Sequence, residues 1–293
     1  MTYRPVVIIG APRSGTNMLR DVLTRLPGFA TWPCDEINFV WKHGNLSWPT
    51  DDLPPDRIGP RTRRFVGRQF DGIARRYDAA YVVEKTCANC LRVPFVDALV
   101  PEARYLVLVR DGRDAVASAL RRWRDPSAAP AYFARKLRFV AKTDLPRVLG
   151  AALLRRLRGR LGGRDHRWAT WGPVFPELLA AQRAGRSTPE LCALQWSRCV
   201  EASLADLGRL DGDRVLPVGY ERFVAEPAAG LARIVRFLGA DPGAAELGRA
   251  VADVSPRSVG KYARELDPAA LALIEPLLTG AGQRAADVLG PIA

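Results

Sequence analysis

Long apolar runs are absent from this sequence of 293 residues. A membrane-spanning helix needs about 18 or more consecutive apolar residues, and no stretch of the chain approaches that length. The first apolar stretch, Val6 to Ile9, is also far shorter than the core of about 7–15 residues in a secretory signal peptide. We therefore expect a cytoplasmic protein. The odd number of cysteines, five, agrees with a reducing compartment and with no disulfide framework.

Lysine and histidine are scarce. Lysine occurs only at positions 42, 85, 136, 142 and 261, and histidine only at 43 and 166. Arginine supplies most of the 44 basic residues, which exceed the 31 acidic ones and give a net charge of +13. This charge favours a polyanionic partner: a nucleic acid, an anionic membrane or a phosphorylated small molecule. Part of the charge carries no such information, because arginine in place of lysine often reflects a GC-rich genome.

Sequence patterns typical of metal sites are also few. Cys87 and Cys90 have the spacing of a redox or zinc pair, but the nearest third thiol in the sequence, Cys34, is distant. No second pair with this spacing follows. Two buried thiols are the favoured interpretation, and we expect no metal ion.

Short apolar segments alternate with helical periodicity along the chain. Helices are expected at Ala115–Trp123 and Leu231–Leu238, and segments with strand character are Tyr3–Gly10, Tyr81–Glu84, Tyr105–Val109 and Val215–Val218. Continuous apolar strands that alternate with helices predict an α/β protein with a parallel sheet covered on both faces.

The remaining segments decide the domain organisation. Residues 44–60 are rich in proline, aspartate and glycine and are interpreted as an exposed loop. Residues 143–190 have no clear sheet element and contain a cluster of arginines between 155 and 167, which indicates an insertion or lid. Without an internal repeat or a low-complexity linker, we predict a single domain over residues 1–293.

A glycine loop follows the first strand. The segment Gly10-Ala-Pro-Arg-Ser-Gly15-Thr-Asn lies between this strand and the helical pattern that begins near Met18. Backbone N–H groups and a helix N-terminus at such a loop bind anions. The lysine expected after the second glycine in nucleotide kinases is replaced by Thr16, and the positive charge is at Arg13 instead.

A second constellation runs from Arg110 to Ser118. Arg110 ends a strand, where a nucleoside-triphosphate site would place an acid that helps to hold Mg²⁺. Arg110 and Ser118, eight residues apart, can face one anion if the helix folds back over the strand end. Arg113 and Asp114 are interpreted as a local ion pair. The pattern therefore indicates a second anion rather than a metal.

Two motifs resemble those of sulfotransferases that use 3′-phosphoadenosine-5′-phosphosulfate (PAPS). Residues 11–19, Ala-Pro-Arg-Ser-Gly-Thr-Asn-Met-Leu, resemble the 5′-phosphosulfate loop of that family. Residues 109–118, Val-Arg-Asp-Gly-Arg-Asp-Ala-Val-Ala-Ser, resemble its 3′-phosphate motif. Weaker similarities lie at residues 84–86, 219–239 and 257–262. The resemblance, to a bacterial member of the family, covers about residues 5–265 and is weakest at 40–80 and 143–190.

The resemblance implies a P-loop-like α/β sulfotransferase fold and a PAPS donor that leaves as 3′-phosphoadenosine-5′-phosphate (PAP). It implies that Arg110 and Ser118 bind the 3′-phosphate and that Tyr220 lies against the adenine. Residues implied to close over the nucleotide are Arg257, Gly260 and Lys261. Residues implied to bind the 5′-phosphosulfate are Arg13, Ser14, Gly15, Thr16 and Asn17.

The resemblance also bears on the catalytic groups. Arginine and lysine can neutralise the leaving phosphate and the sulfuryl oxygens, and Arg13 and Lys85 are the candidates. Many members have Lys-Thr-His where this chain has Lys85-Thr86-Cys87, so the usual histidine base is missing. The segment at 34–38, Cys-Asp-Glu-Ile-Asn, resembles the branch with protein-tyrosine sulfotransferases, whose base is a glutamate in that region. Glu36 is thus the candidate base and Asp35 the second; solvated loop acids are the alternative.

Several expectations concern partners. The acceptor is expected to be a hydroxyl of a small molecule, a glycolipid or another natural product, and nucleic acid is not expected as a partner. A P-loop kinase and a non-enzymatic polyanion-binding protein are the alternatives. The oligomeric state is not predicted.

The apolar residues 145, 148, 149, 152 and 153, with the arginines after them, could form an amphipathic helix that touches an anionic membrane; a solvated charged face is the preferred interpretation. Five aromatic residues either line the acceptor pocket or form small satellite cores: Trp32, Phe39, Trp41, Trp48 and Trp171.

Overall fold

A computed structural model describes residues 3–124, 134–160 and 172–289. Its described strands form one parallel sheet with the order β2-β3-β1-β4-β5. The strands are β1 (Arg4–Ile9), β2 (Phe29–Ala30), β3 (Tyr81–Lys85), β4 (Arg104–Val109) and β5 (Val215–Gly219). The four strands predicted from apolar segments are therefore confirmed, and β2 was missed.

Helices connect these strands and cover the sheet. They are α1 (Thr16–Leu23), α2 (Asn38–Trp41), α3 (Pro60–Tyr77), α4 (Val93–Leu99), α5 (Gly112–Arg124), α6 (Leu145–Arg160), α7 (Pro176–Arg183), α8 (Thr188–Leu207), α9 (Tyr220–Ala225), α10 (Pro227–Leu238), α11 (Ala244–Ala250), α12 (Tyr262–Glu265) and α13 (Pro268–Leu289). Short 3₁₀ turns lie at Pro55–Arg57, Cys87–Leu91, Gly212–Arg214 and Pro256–Ser258. None of the described helices is long and apolar enough to cross a membrane.

The central strand β1 shows why both faces are covered. Val6 and Ile8 belong to a core cluster with α1, α9 and α10, whereas Val7 and Ile9 belong to the larger cluster with α3, α4, α5, α8 and α13. Successive side chains of a strand point to opposite faces, so a continuous apolar run needs a partner layer on each side. The predicted α/β sheet with two covered faces is confirmed.

The segment at 44–60 is not simply an exposed loop. Thr50, Asp51 and Leu53 are buried, and Leu53 packs in the larger core cluster. Asp51 accepts a hydrogen bond from the Val174 backbone N–H at 2.9 Å, and its own N–H donates to the Val174 carbonyl at 2.7 Å. The loop prediction was wrong at its centre because this segment pairs with residues more than a hundred positions away.

The segment 143–190 contains helices α6 and α7, and its described residues form no strand. Val148 is buried, whereas Leu149, Leu153 and Leu154 of α6 are exposed large apolar side chains. Part of this segment, 161–171, lies outside the described residues. Its assignment as an insertion or lid and its contact with an anionic membrane remain predictions.

Candidate active site

The glycine loop turns sharply between β1 and α1. Arg13 has a φ of 70° and Gly15 a φ of 91°, both in the left-handed region. A Cβ atom on Gly10 would lie 2.8 Å from the Leu108 carbonyl oxygen of the neighbouring strand. Positive φ at a non-glycine residue is strained, and such strain concentrates at functional sites. The loop places the N-terminus of α1 at the carboxyl edge of the sheet, where a parallel α/β protein binds its ligands.

Tyr220, directly after β5, packs against this loop. A Cβ atom on Gly15 would lie 2.6 Å from the Tyr220 ring. The Arg110 guanidinium lies over the same ring, 4.5 Å from its centroid. Position 15 therefore requires glycine for two reasons, its backbone conformation and the close approach of the ring.

Arg13, Arg110 and Ser118 meet at the end of this loop. Arg13 Nε donates a hydrogen bond to Ser118 Oγ at 3.0 Å. Arg110 donates to the Arg13 carbonyl oxygen at 3.1 Å. Arg110 before α5 and Ser118 within α5 both contact Arg13, which is the condition under which the two residues can face one anion. Two cations and a hydroxyl from distant parts of the sequence are thus brought together.

Two polar atoms of this cluster are buried and have no hydrogen-bond partner among the described residues: Ser14 Oγ and Arg110 Nε. Leaving a buried polar atom unpaired is costly, so such atoms at a concave site indicate a ligand that pairs with them. Burial lowers the pKa of Arg13, and the neighbouring positive charge of Arg110 lowers it further. Because both atoms belong to a cluster of cations, an anion is the ligand that fits.

A late loop, defined as residues 256–262, lies against the same cluster. Its Gly260 and Tyr262 N–H groups donate to the Asp114 carboxylate at 2.8 and 2.9 Å. Its Ser258 carbonyl oxygen accepts a hydrogen bond from Arg110. Within this loop Arg257 is exposed and Lys261 is partly exposed. The loop predicted to close over a nucleotide is therefore next to the residues predicted to bind its phosphates.

The predicted ion pair between Arg113 and Asp114 is wrong. Arg113 pairs with Asp111 at 2.6 Å, whereas Asp114 lies 3.6 Å from the Arg110 guanidinium. Arg113 also packs over the ring of Tyr262, 4.2 Å from the centroid. Asp114 instead faces the late loop, because the first turn of α5 is buried against residues that follow far along the chain.

Lys85 lies at the carboxyl end of β3 and pairs with both candidate bases. Its Nζ atom is 3.0 Å from Glu36 Oε1 and 3.2 Å from Asp35 Oδ1. The Lys85 side chain is only 2% exposed, so Lys85 is not a surface lysine. Asp35 pairs in addition with Arg20 of α1 at 3.3 Å. Asp35 and Glu36 are therefore not freely solvated loop acids.

Backbone contacts hold Glu36 in place. The Cys87 N–H donates to Glu36 Oε1 at 3.3 Å. The Ile37 N–H donates to Thr86 Oγ1 at 3.2 Å, and the Thr86 hydroxyl donates in turn to the buried carboxylate of Glu84. These bonds connect the loop after β2 to the end of β3. They fix the candidate base beside the candidate lysine.

The charges of this group set the protonation of its members. Burial raises the pKa of the Glu36 carboxyl, but Lys85 and Lys136 together outweigh it, and the pKa lies below its usual value. Asp35 shows the same balance and a lowered pKa. Lys85 stays charged, since its two carboxylate neighbours raise its pKa in spite of burial. The group is thus one ammonium shared by two carboxylates.

Cys87 lies where the resemblance to sulfotransferases predicts a histidine, and its thiol stays protonated, so it cannot serve as the base. Burial raises the pKa of the Cys87 thiol well above its usual value, and Glu36 raises it further. Its sulfur also lies 3.9 Å from Thr16 Oγ1. Cys87 and Cys90 are both buried, as predicted. In residues 3–124, 134–160 and 172–289, no cluster of three or more metal-ligating side chains occurs.

The other singled-out residues lie elsewhere. His43 pairs with Asp144 at 2.7 Å. Trp32 and Trp41 are buried and make edge contacts with the Phe70 ring, so they belong to the core. Trp171 and His166 lie outside the described residues.

Sequence reasoning missed Arg20, Asp114 and Thr86. The position of Asp114, four residues after Arg110, is the local signal that could have connected it with that arginine. The contacts of Arg20 with Asp35 and of Thr86 with Ile37 have no such signal, because these partners belong to other segments of the chain.

Comparison with known proteins agrees with this geometry. Residues 5–144 match a model of the sulfotransferase family. No curated protein matches the chain. Over the whole chain, the fold is similar to the sulfotransferase domain of the Synechococcus PCC 7002 olefin synthase, with a TM-score of 0.54, 19% identity and coverage of 100% of this chain and 97% of that one.

Two further solved structures show the same fold. A sulfotransferase from Alicyclobacillus acidocaldarius has a TM-score of 0.51, 17% identity and coverage of 100% and 98% of the two chains. Mouse sulfotransferase SULT7A1 in complex with PAP has a TM-score of 0.51, 16% identity and coverage of 96% and 84%. The predicted resemblance to sulfotransferases and the predicted fold are both confirmed.

Proposed function

We propose that this protein transfers a sulfuryl group from PAPS to a hydroxyl group of an acceptor and needs no metal ion for the transfer. One observation carries the proposal: the convergence of Arg13, Arg110 and Ser118 around buried, unpaired polar atoms at an anion-binding loop. The match to the sulfotransferase family supports sulfuryl transfer as the reaction.

The donor would lie along the carboxyl edge of the sheet. Arg110 and Ser118 would bind the 3′-phosphate, and Tyr220 would support the adenine. The late loop, with Arg257, Gly260 and Lys261, would cover the nucleotide. The 5′-phosphosulfate would contact the loop residues Arg13, Ser14, Gly15, Thr16 and Asn17. A PAP complex among the structures with this fold agrees with such a donor.

The proposed reaction is a displacement at sulfur. The acceptor hydroxyl loses its proton to the Glu36 carboxylate, and its oxygen forms a bond to sulfur. The bond from sulfur to the 5′-phosphate oxygen breaks, and PAP leaves with that electron pair. Arg13 neutralises the leaving phosphate, and Lys85 neutralises the sulfuryl oxygens as charge develops. Every charge compensation in this scheme comes from side chains of the chain itself.

The ion pair places a condition on this scheme. While Lys85 holds Glu36 at 3.0 Å, the carboxylate is a weak base because its pKa is lowered. A sulfuryl group next to Lys85 competes for the ammonium. Glu36 then loses part of its cationic contact and gains basicity. The donor and the base would thereby act in sequence.

A hydroxyl of a small molecule, a glycolipid or another natural product remains our proposal for the acceptor. Trp32 and Trp41 are buried in the larger core cluster and Trp48 packs against it, which leaves Phe39 and Trp171 as aromatic candidates for the acceptor side. The sulfotransferase match disfavours a kinase and a purely polyanion-binding protein.

Thermal unfolding with nucleotides and without added metal tests the donor. We expect PAP to raise the melting temperature, since a ligand that binds only the native state stabilises it by mass action. ATP with Mg²⁺ should give no comparable shift. The opposite order would favour a kinase, and strongly salt-dependent DNA binding without preference for PAP would favour the polyanion binder. Incubating metabolite extracts with labelled PAPS would then identify the acceptor.

A further inference from the structure

Asp114 joins the helix α5 to the late loop. Its side chain is 1% exposed. Oδ2 accepts the Gly260 N–H at 2.8 Å, and Oδ1 accepts the Tyr262 N–H at 2.9 Å. Both oxygens of one buried carboxylate are thus hydrogen-bonded to backbone groups of a loop that follows about a hundred and fifty residues later. Hydrogen bonds to a charged acceptor are among the stronger ones in proteins.

The same carboxylate lies beside Arg110. The Arg110 guanidinium is 3.6 Å from Asp114 Oδ2, and it also donates to the carbonyl oxygen of Ser258 in the late loop. Arg110 therefore touches the loop directly and through Asp114. A displaced late loop would leave Arg110 without the Ser258 carbonyl, which is one of the groups that orient its planar guanidinium.

We propose that Asp114 is a positioning residue that anchors the late loop against Arg110 and so keeps both in place for the 3′-phosphate of the nucleotide. This inference rests on the proposed function. Asp114 itself would not touch the nucleotide, because both of its oxygens are occupied by loop N–H groups. Its negative charge balances part of the positive charge of Arg110, and its two hydrogen bonds close the loop.

The conservative variant Asp114→Asn tests the anchor. Asparagine keeps the shape but offers an NH₂ group where one loop N–H needs an acceptor. The matched control is Asp111→Asn, which makes the same change of charge three residues earlier, at a side chain that pairs with Arg113. A second variant, Gly260→Ala, strains the loop alone, because Gly260 has a φ of 69° and an added Cβ would meet no atom within 4 Å.

Limited digestion with trypsin reports on the loop without any assay of activity. Trypsin cleaves after arginine and lysine, so Arg257, Lys261 and Arg264 mark the loop and its C-terminal flank. In the absence of nucleotide we expect Asp114→Asn to be cleaved at these sites about tenfold faster than the native chain. Asp111→Asn should be cleaved at the native rate, and the cleavage rate of Gly260→Ala should lie between those of the native chain and Asp114→Asn. PAP should slow cleavage of the native chain and protect Asp114→Asn much less.

Calorimetric titration reports on the nucleotide. We expect the affinity of Asp114→Asn for PAP to fall about 10- to 100-fold, the usual effect of losing hydrogen bonds to a buried charged group. Its affinity for AMP, which lacks the 3′-phosphate, should change less than about threefold. A merely structural role of Asp114 would weaken both nucleotides alike.

Equal cleavage rates for Asp114→Asn and Asp111→Asn, or equal losses of affinity for PAP and AMP, would overturn the proposal that Asp114 anchors the late loop. If Asp114→Asn does not fold, the test uses Gly260→Ala instead. Native rates of tryptic cleavage and native affinity for PAP in Gly260→Ala would then reject the proposal. If the native chain binds no PAP, the proposed function fails instead. The digestion without nucleotide then still shows whether Asp114 holds the loop.

Discussion

Lys85 Nζ lies 3.0 Å from Glu36 Oε1, so the proposed cation for the sulfuryl group and the proposed base form an ion pair. Lys85 is buried, and its second carboxylate partner is Asp35 at 3.2 Å. Because one ammonium cannot make its best contact with the donor and with both carboxylates, donor binding should redistribute these contacts.

The first prediction is that Glu36 takes the proton of the acceptor. Glu36→Gln keeps the shape and removes the basicity. Turnover should fall by roughly 10²–10⁴, the usual contribution of general-base catalysis. PAP binding should stay within about threefold of the native value, because in the proposed reaction Glu36 contacts the acceptor and not the nucleotide. Turnover with labelled PAPS and titration with PAP measure the two quantities separately.

Two controls accompany this variant. Asp35→Asn changes the other partner of Lys85 and should cost less turnover than Glu36→Gln. His43→Ala should leave turnover near the native value, since His43 pairs with Asp144 away from Lys85. Near-normal turnover in Glu36→Gln combined with an inactive Asp35→Asn would move the base to Asp35. If all three variants stay active, the acceptor arrives already acidic, as a phenol can.

The second prediction concerns recognition of the 3′-phosphate. Arg110→Ala should weaken the binding of PAP much more than the binding of adenosine-5′-phosphosulfate, which lacks that phosphate. Arg110 also contacts the Arg13 carbonyl, so this variant disturbs the glycine loop as well. Ser118→Ala is the smaller change, because it removes one hydroxyl, which accepts a hydrogen bond from Arg13. It should show the same selectivity with a smaller loss, since a hydroxyl makes a weaker contact than a guanidinium. Equal losses for both nucleotides would remove the 3′-phosphate assignment.

The third prediction is that Gly15→Ala destabilises the chain and abolishes nucleotide binding. The new methyl group would lie 2.6 Å from the Tyr220 ring, at a residue with a φ of 91°. Overpacking and backbone strain together should lower the free energy of unfolding by about 2–4 kcal/mol. Chemical denaturation measures this loss.

Tyr220→Leu supplies the matched comparison. Removing the ring relieves the clash but not the strained φ. The double variant should therefore be less destabilised than the sum of the two single variants. Strictly additive losses would show that the ring does not limit the residue at position 15.

The fourth prediction concerns the buried carboxylate of Glu84. Burial raises its pKa from 4.5 to about 7, although hydrogen bonds such as that from Thr86 oppose the shift. Between these two values the unfolded chain loses this proton before the folded chain does. Stability due to this group should therefore fall by about 3 kcal/mol as the pH rises from 4.5 to 7, and change little above it.

Urea denaturation at pH 5, 6, 7 and 8 measures the slope of the free energy of unfolding against pH. Glu84→Gln cannot titrate and should remove most of it, even though the amide is a poorer partner for Asn89, whose side chain donates to Glu84 at 2.9 Å. An unchanged slope in Glu84→Gln would contradict the raised pKa. The opposite slope in the native chain would contradict it as well.

Local sequence was sufficient for the framework of the site. The apolar run before Gly10 and the periodicity after Gly15 specify a strand, a tight loop and a helix, since each depends on neighbouring residues only. The eight-residue spacing of Arg110 and Ser118 allowed both to face one anion if helix α5 returns over the strand end, and their contacts with Arg13 meet that condition. These features could be predicted because helix and strand periods determine them.

The tertiary structure alone decided the pairings. The two-residue strand β2 exists because Phe29 and Ala30 pair with β3, and no local periodicity marks so short a segment. Asp51 and Leu53 are buried by contacts with distant segments, in a stretch whose composition is typical of an exposed loop. Sequence composition describes how residues prefer water, but burial depends on which segments meet.

The charged groups show most clearly which features the sequence determined and which the tertiary structure decided. The sequence by itself determined that Arg13, Arg110, Lys85 and Glu36 are present and that the first two follow strands at one edge of a parallel sheet. Only the fold decided that Lys85 pairs with Glu36 and that Asp114 faces the late loop instead of Arg113. Ion pairs form between the nearest opposite charges in space, and crossover connections of many tens of residues determine which charges those are.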